Sequence, residues 1–242
     1  MNKVVYKTVR EITRSQIDYK KDYKLSSILE DIQNIGLNAL EYAGIGDDKT
    51  RDKGINWVYT KLYIEFNKIP NENDSIYYET YPLDMIHFIY PRMFNARDKK
   101  GNILFKALLY CVLLNTNDRK IVLPSKANIF LNSYTNKKEM DLIMPKEINK
   151  KDTQYRESRK VHYSDIDINN HLNNIKYLDF ILDLFDIELL NNIQFKSILI
   201  SFNKEVRLNE EIKLYSSIDN TYFIGKANDN IVFEAEVSYV ER

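Results

Sequence analysis

Residues 161–178 read VHYSDIDINNHLNNIKYL, and this stretch joins a polar loop to the beginning of a helix. Its first half concentrates carboxylate, amide and imidazole side chains, and an apolar stripe follows through Ile175, Leu178 and Ile181. This spacing predicts a helix over 173–190. The N–H groups at a helix N-terminus carry partial positive charge and can hold an anion. The loop is therefore the first candidate for a functional site.

A similar order of elements occurs in the first half of the chain. An apolar stripe over Ser26–Tyr42 predicts a helix that stops at Gly44 or Gly46. Apolar and polar residues alternate in the tracts after each helix, which is typical of half-buried strands. Strands are expected at Ile55–Phe66, Asp74–Pro82, His87–Ala96, Ile103–Asn115, Phe195–Asn203, Glu211–Asp219, Tyr222–Ala227 and Ile231–Val240. Each half thus has the pattern of one helix packed on an antiparallel sheet, which predicts an α+β fold.

Short strings indicate an internal duplication. Residues 25–28, LSSI, resemble residues 172–175, LNNI, at an offset of 147 positions, 172 minus 25. Residues 64–69, IEFNKI, resemble residues 200–205, ISFNKE, at an offset of 136, 200 minus 64. Both strings place small polar residues, which favour helix caps, before the apolar face of the helix.

The two copies differ at their polar positions. In the register of these strings, Asn169, His171 and Glu205 of the second copy correspond to Asp22, Lys24 and Ile69 of the first. These polar residues occur together in the second copy alone. We therefore expect the catalytic residues in the second half and a structural role for the first half. We expect a first domain over residues 1–136, a charged crossover over 137–160, and a second domain over 161–242.

Composition excludes several classes of function. The 35 basic and 35 acidic residues cancel, so no overall field favours nucleic acid or an anionic membrane. Neither a signal peptide nor an apolar run of about 18 residues is recognisable, which predicts a cytoplasmic protein without membrane insertion. Cys111 is expected to be a buried core thiol. One cysteine and three dispersed histidines give no metal-ligand spacing, and no glycine-rich phosphate loop is present, so no cofactor is expected.

Residues 165–177, DIDINNHLNNIKY, resemble the signature of plant and bacterial acyl-acyl carrier protein (acyl-ACP) thioesterases, D-x-D-x-N-x-H-V-N-N-x-K-Y. Leu172 in place of valine is the one departure. The family places a catalytic glutamate about 34 residues after the histidine, and Glu205 stands 34 residues after His171, 205 minus 171. The first half carries weaker landmarks of the family in residues 54–58, 79–82 and 117–120, with Tyr81 where the family has tryptophan.

The resemblance implies a double hot-dog fold, an acyl chain held mainly in the first half, and an acyl carrier protein (ACP) as partner. It also implies roles for four residues in thioester hydrolysis. Asn169 would orient and polarise the thioester carbonyl, Glu205 and His171 would activate the attacking water, and Asp167 would hold the network. General base catalysis and oxyanion stabilisation need these side-chain types.

Other interpretations stay open at this point. Taken alone, Asp167 or Asn169 is typical of a turn or cap, His171 of a structural histidine, and Glu205 of a solvated strand edge. The chain could also hydrolyse acyl-CoA, or bind acyl chains without catalysis. A homodimer is a further possibility that the sequence does not decide.

Overall fold

The computed structural model describes residues 5–134 and 142–241. The chain divides into two compact units, Met1–Met144 and Pro145–Arg242. The domain boundary predicted at residues 136 and 137 lies outside the described residues. Each unit contains its own antiparallel sheet and its own core helix.

Among its described residues, the first unit has five strands and three α-helices. They are β1 (Tyr6–Glu11), α1 (Leu25–Tyr42), α2 (Asp47–Arg51), β2 (Ile55–Phe66), β3 (Ser75–Pro82), β4 (Tyr90–Arg97), β5 (Ile103–Asn115) and α3 (Pro124–Ala127). The strands pair antiparallel in the order β1-β3-β4-β5-β2. Ile28, Leu29, Ile32 and Ile35 on one face of α1 are fully buried, as their spacing predicts. Gly44 follows the helix with φ +78°, a conformation that favours glycine and ends α1 where predicted.

The second unit contains β6 (Gln154–Lys160), α4 (Asn174–Leu182), α5 (Ile187–Asn192), β7 (Ile193–Phe202), β8 (Glu211–Ser216), β9 (Tyr222–Ala227) and β10 (Asn230–Glu241). These strands pair antiparallel in the order β7-β10-β9-β8-β6. Helix α4 packs on the sheet through Tyr177, whose ring lies 6.0 Å from Phe202 and 4.7 Å from Phe233 between centroids. These contacts hold the first half of α4 against β7 and β10.

The prediction of a single helix over 173–190 is wrong, because the structure has two helices there, α4 and α5. Four residues, Asp183–Asp186, separate the two. Phe185 in this break is buried, with ring centroids 5.8 Å from Phe195 and 5.5 Å from Phe223. Burial of this aromatic side chain favours the break over a continuous helix.

Two strands, β1 and β6, were not predicted from the sequence. Strand β6 lies in the segment over 137–160 that was predicted to be a crossover. Residues 154–160 of that segment form β6, which pairs with β8. Most positions of β6 are exposed, so its sequence lacks the apolar alternation that identifies a strand. The other missed strand is β1, which pairs with β3. Each of these strands precedes the polar loop of its unit.

The hydrogen bonds of the two polar loops correct the register of the internal repeat. The N–H of Asp18 donates to the carbonyl of Asp22 at 2.8 Å, and the N–H of Asp167 donates to the carbonyl of His171 at 2.8 Å. The third residue after each aspartate has positive φ, 66° at one position and 64° at the other. The loops therefore correspond at an offset of 149, 167 minus 18, and not at 147. Strings of four residues were too short to fix this register.

At the corrected offset, Asn169 and His171 correspond to Lys20 and Asp22, so the predicted counterparts Asp22 and Lys24 were wrong by two positions. The offset of 136 between the segments that contain Ile69 and Glu205 is unchanged. Asp22 bridges Asn71 and His171 bridges Arg207, which preserves the offset of 136, 207 minus 71. Ile69 remains the counterpart of Glu205. The first unit keeps the loop geometry and lacks the histidine and the glutamate.

Candidate active site

Hydrogen bonds fix the segment that precedes the polar loop of the second unit. The N–H of Val161 donates to the carbonyl of Glu210 at 2.9 Å, and the N–H of Asn209 donates to the carbonyl of Val161 at 2.9 Å. Asp165 then accepts the His162 N–H at 2.9 Å through its carboxylate. These bonds hold the segment before the loop against the segment that precedes β8.

Asp167 shapes the loop itself. Its Oδ1 accepts the backbone N–H groups of Asn169 at 2.8 Å and His171 at 3.3 Å. Its Oδ2 accepts from Nδ2 of Asn169 at 3.3 Å. Asn170 takes the left-handed conformation that asparagine tolerates well, and this closes the turn. One carboxylate thus sets the backbone of His171 and the orientation of the exposed Asn169 amide.

Long-range backbone pairing brings the histidine to the glutamate. His171 forms an antiparallel bridge with Arg207, and the N–H of Leu172 donates to the carbonyl of Val206 at 2.7 Å. Glu205 is the next residue before this paired segment. Its Oε2 lies 3.1 Å from Nε2 of His171, and the side chains are 37% and 16% exposed, respectively. The pair is therefore partly shielded yet open to a substrate and to water.

The helix that follows the loop begins with a side-chain cap. Oδ1 of Asn173 accepts the Ile175 N–H at 3.1 Å, which confirms the interpretation of Asn173 as a capping residue. The N–H of Asn173 donates to the carbonyl of Asp165 at 2.8 Å. Lys176, in the first turn of α4, lies 3.6 Å from the Asp165 carboxylate. The loop and the helix are thus tied together through Asp165.

The structure brings the four sequence-predicted residues, Asp167, Asn169, His171 and Glu205, into one hydrogen-bonded arrangement. Their catalytic role stays a prediction. Sequence reasoning missed the anchoring role of Asp165. The signal was present in the spacing of His162 and Asp165, since an acidic residue three positions after a capping residue is typical of a reciprocal cap.

Within 5–134 and 142–241, no cluster of three or more His, Cys, Asp or Glu could hold a metal ion. In the same part of the chain, no helix has the length and apolar character needed to cross a membrane.

A small cavity with a volume of about 20 Å³ lies within the first unit and opens to solvent. Its wall is formed by residues of α1, β2, β4 and β5 together with Leu131. Trp57, which belongs to the landmark at residues 54–58, is among the lining residues. Most lining side chains are aliphatic or aromatic, which suits an apolar ligand.

Comparison with known sequences assigns both halves of the chain to one family. The profile of the acyl-ACP thioesterase N-terminal domain matches residues 3–125, and that of the C-terminal domain matches residues 148–240. The chain belongs to the acyl-ACP thioesterase family. A chloroplastic acyl-ACP hydrolase of Cuphea viscosissima is 21% identical over 89% of this chain, and the dodecanoyl-ACP hydrolase of Cinnamomum camphora is 20% identical over 89%. The matches span 56% and 60% of those two relatives, so the chain covers little more than half of their length.

Solved structures support the same fold. An acyl-ACP thioesterase from Bacteroides thetaiotaomicron aligns with a TM-score of 0.86 at 21% identity and covers 98% of each chain. The 12:0-ACP thioesterase from Umbellularia californica aligns with a TM-score of 0.80 at 16% identity, over 100% of this chain and 99% of that chain. The predicted α+β double hot-dog fold of the family is thereby confirmed.

Proposed function

We propose that the protein hydrolyses the thioester of fatty acyl-ACP and releases a free fatty acid and ACP. The observation that carries this proposal is the contact of 3.1 Å between Nε2 of His171 and Oε2 of Glu205, with the family's asparagine, Asn169, two positions before the histidine in the sequence. A carboxylate held by an imidazole is suited to accept a proton from water. Family membership adds support, because the relatives named above are acyl-ACP hydrolases.

In the proposed reaction, Glu205 acts as the general base. His171 donates from Nε2 to one carboxylate oxygen and orients the other toward a water molecule. The water oxygen attacks the thioester carbonyl carbon while its proton passes to Glu205. The C=O bond becomes a C–O⁻ bond in a tetrahedral intermediate. Collapse of this intermediate breaks the C–S bond, and the proton held by Glu205 passes to the departing thiolate.

Asn169 supplies the donor for the developing oxyanion. Its amide carries two N–H groups, and donation to Asp167 fixes its orientation. A pre-oriented donor is worth more than a mobile one because no reorganisation is needed as the charge develops. Removal of one such donor typically costs about 10²–10³ in kcat.

Asp167 acts in this account as a positioning residue. Asp167→Ala removes the acceptor for two backbone N–H groups, so we expect kcat to fall by about 10–100-fold, since small displacements of catalytic groups have effects of this order. Asp167→Asn keeps an Oδ1 acceptor for the two backbone N–H groups but puts an N–H donor where Oδ2 accepts from Asn169, so it should restore only part of that loss. Steady-state kinetics on acyl-ACP would measure both, with circular dichroism as the control for folding. Equal losses in the two variants would contradict a positioning role.

The first unit is proposed to hold the acyl chain, because its cavity is mostly apolar and its copy of the loop lacks the histidine and the glutamate. Kinetic comparison of acyl-ACP with acyl-CoA of the same chain length tests the substrate class. We expect a higher kcat/KM for acyl-ACP. Faster turnover of the CoA ester would replace this proposal by an acyl-CoA thioesterase, and absence of hydrolysis with retained acyl binding would replace it by a binding protein.

The cytoplasmic location and the homodimer stay predictions. The curated relatives named above are described as chloroplastic. Light scattering of the purified protein would give its oligomeric state.

A further inference from the structure

Three large apolar side chains are exposed on the segments that carry the candidate active site. Tyr163 is 85% exposed, Ile168 is 80% exposed, and Leu208 is also exposed. Ile168 belongs to the polar loop itself, and Leu208 follows the residue that bridges His171. We call these three residues the apolar rim. Single exposed apolar residues are common on proteins, so exposure alone does not assign a role to the rim.

The polar loop of the first unit can be compared with that of the second position by position, because the two loops share their backbone pairing. The N–H of Tyr23 donates to the carbonyl of Pro70 at 2.8 Å, and the N–H of Leu172 donates to the carbonyl of Val206 at 2.7 Å. These bonds correspond at the offsets of 149, 172 minus 23, and 136, 206 minus 70. The first unit therefore shows what the rim positions hold in a loop that lacks the histidine and the glutamate.

The first unit has an ion pair where the second unit has two members of the apolar rim. Tyr163 corresponds to Arg14, 163 minus 149, and Leu208 corresponds to Glu72, 208 minus 136. Nε of Arg14 donates to Oε1 of Glu72 at 3.2 Å. Side chains at these two positions can therefore contact each other. The unit without the candidate site closes this surface with opposite charges, whereas the unit with the site exposes a tyrosine and a leucine there.

A cation lies beside the apolar rim. Arg207 is exposed, precedes Leu208 and is the bridge partner of His171. Among the residues that the structure describes, the ion pairs do not include the guanidinium of Arg207. Its counterpart in the first unit is the neutral Asn71, 207 minus 136. Aromatic residues and arginine are enriched where proteins contact one another, and charged partners pair across such surfaces.

We propose that the apolar rim and Arg207 form the docking surface for the carrier protein of the substrate, with Arg207 paired to an acidic side chain of that protein. This inference rests on the proposed function, because it concerns the carrier of the thioester that is hydrolysed. The open side of the site faces the thiol end of the substrate, since an acyl chain needs an apolar pocket away from water. Docking buries the exposed apolar side chains of the rim, which favours association.

The first test transfers the ion pair of the first unit to the second. The double variant Tyr163→Arg with Leu208→Glu leaves the net charge unchanged, and the corresponding backbone already supports this pair in the first unit. We expect kcat/KM for acyl-ACP to fall about tenfold or more, mainly through KM, since central residues of an interface have effects of this order.

An acyl-pantetheine ester with the same acyl chain is the reference substrate for this variant. It keeps the arm that carries the thiol of ACP and lacks the carrier protein, so its kcat/KM should fall much less. Equal losses with the two substrates would assign the rim to the pantetheine arm and would overturn the inference. Unchanged kcat/KM with both substrates would overturn it as well.

Ile168→Glu and Ile218→Glu form a matched pair of single variants. Ile218 is 83% exposed, in the turn between β8 and β9. The six residues of β8, about 20 Å of strand, separate it from the segment of Leu208. We expect Ile168→Glu to impair acyl-ACP turnover about tenfold more than acyl-pantetheine turnover, and Ile218→Glu to affect both esters alike. The same selective loss in both variants would contradict a docking surface at the rim.

Binding of ACP without turnover separates failure of this inference from failure of the proposed function. Holo-ACP, which carries the pantetheine arm and no acyl chain, is titrated calorimetrically into the wild type and into the Tyr163→Arg, Leu208→Glu variant. We expect Kd to rise about tenfold in the variant, and Arg207→Gln to weaken both the binding and its dependence on salt. Equal affinities, or no binding of holo-ACP to the wild type, would overturn the inference even if acyl-ACP is hydrolysed.

Discussion

Glu205→Gln is expected to lower kcat/KM for acyl-ACP by about 10³-fold, within the range that general base catalysis contributes. Glutamine has nearly the shape of glutamate and can still accept a hydrogen bond from His171. Its amide cannot accept a proton from water at neutral pH. Kinetics with a saturated acyl-ACP would measure the loss, and it should appear in kcat, because the proton transfer occurs in the transition state.

Glu211→Gln is a matched control for this substitution. Glu211 is an exposed glutamate at the first position of β8, in the same unit. The same change of charge there should leave kcat/KM within about twofold, since exposed charges interact weakly. If the two variants were equally active, Glu205 would not be the base.

His171→Ala should lower kcat/KM by about 10²–10³-fold, the lower part of the range for acid–base groups. The imidazole contacts Glu205 at 3.1 Å and orients its carboxylate. Its loss leaves a carboxylate that can still accept a proton but is no longer fixed. The His171 backbone bonds to Asp167 and Arg207 do not need the imidazole, so folding should be preserved, as circular dichroism would show.

His162→Ala provides the control for the histidine. The His162 side chain is 69% exposed, and its Nδ1 lies 3.9 Å from Asp165. Activity of this variant should stay close to that of the wild type. A comparable loss in both histidine variants would indicate a general effect on the loop and not a specific role of His171.

Elements with a clear apolar stripe or alternation could be predicted from the sequence. Helix α1 was placed within one residue of its beginning, and β2 and β5 were predicted with the bounds that the structure has. Strands β1 and β6 could not be predicted because their sequences, YKTVRE and QYRESRK, are mostly polar and carry no apolar alternation. The break between α4 and α5 depends on the burial of Phe185 against strands distant in sequence, which a local pattern does not contain.

Three of the four candidate site residues could be grouped from the sequence because they lie close together in it. Asp167, Asn169 and His171 lie within five positions, and their local spacing already indicates a turn before a helix. Glu205 could not be joined to them by any local pattern, because its position next to His171 depends on the bridge to Arg207. The family signature supplied that link. The register error of two positions between the copies shows how little short strings constrain a loop whose backbone hydrogen bonds decide the alignment.

The central claim is that Glu205 and His171 act together on one water molecule. The most direct measurement is kcat/KM for acyl-ACP in Glu205→Gln, His171→Ala and the double variant. Residues that act as a unit give losses that do not multiply, so we expect the double variant to be about as slow as Glu205→Gln alone. A double variant whose loss equals the product of the two single losses would contradict the claim.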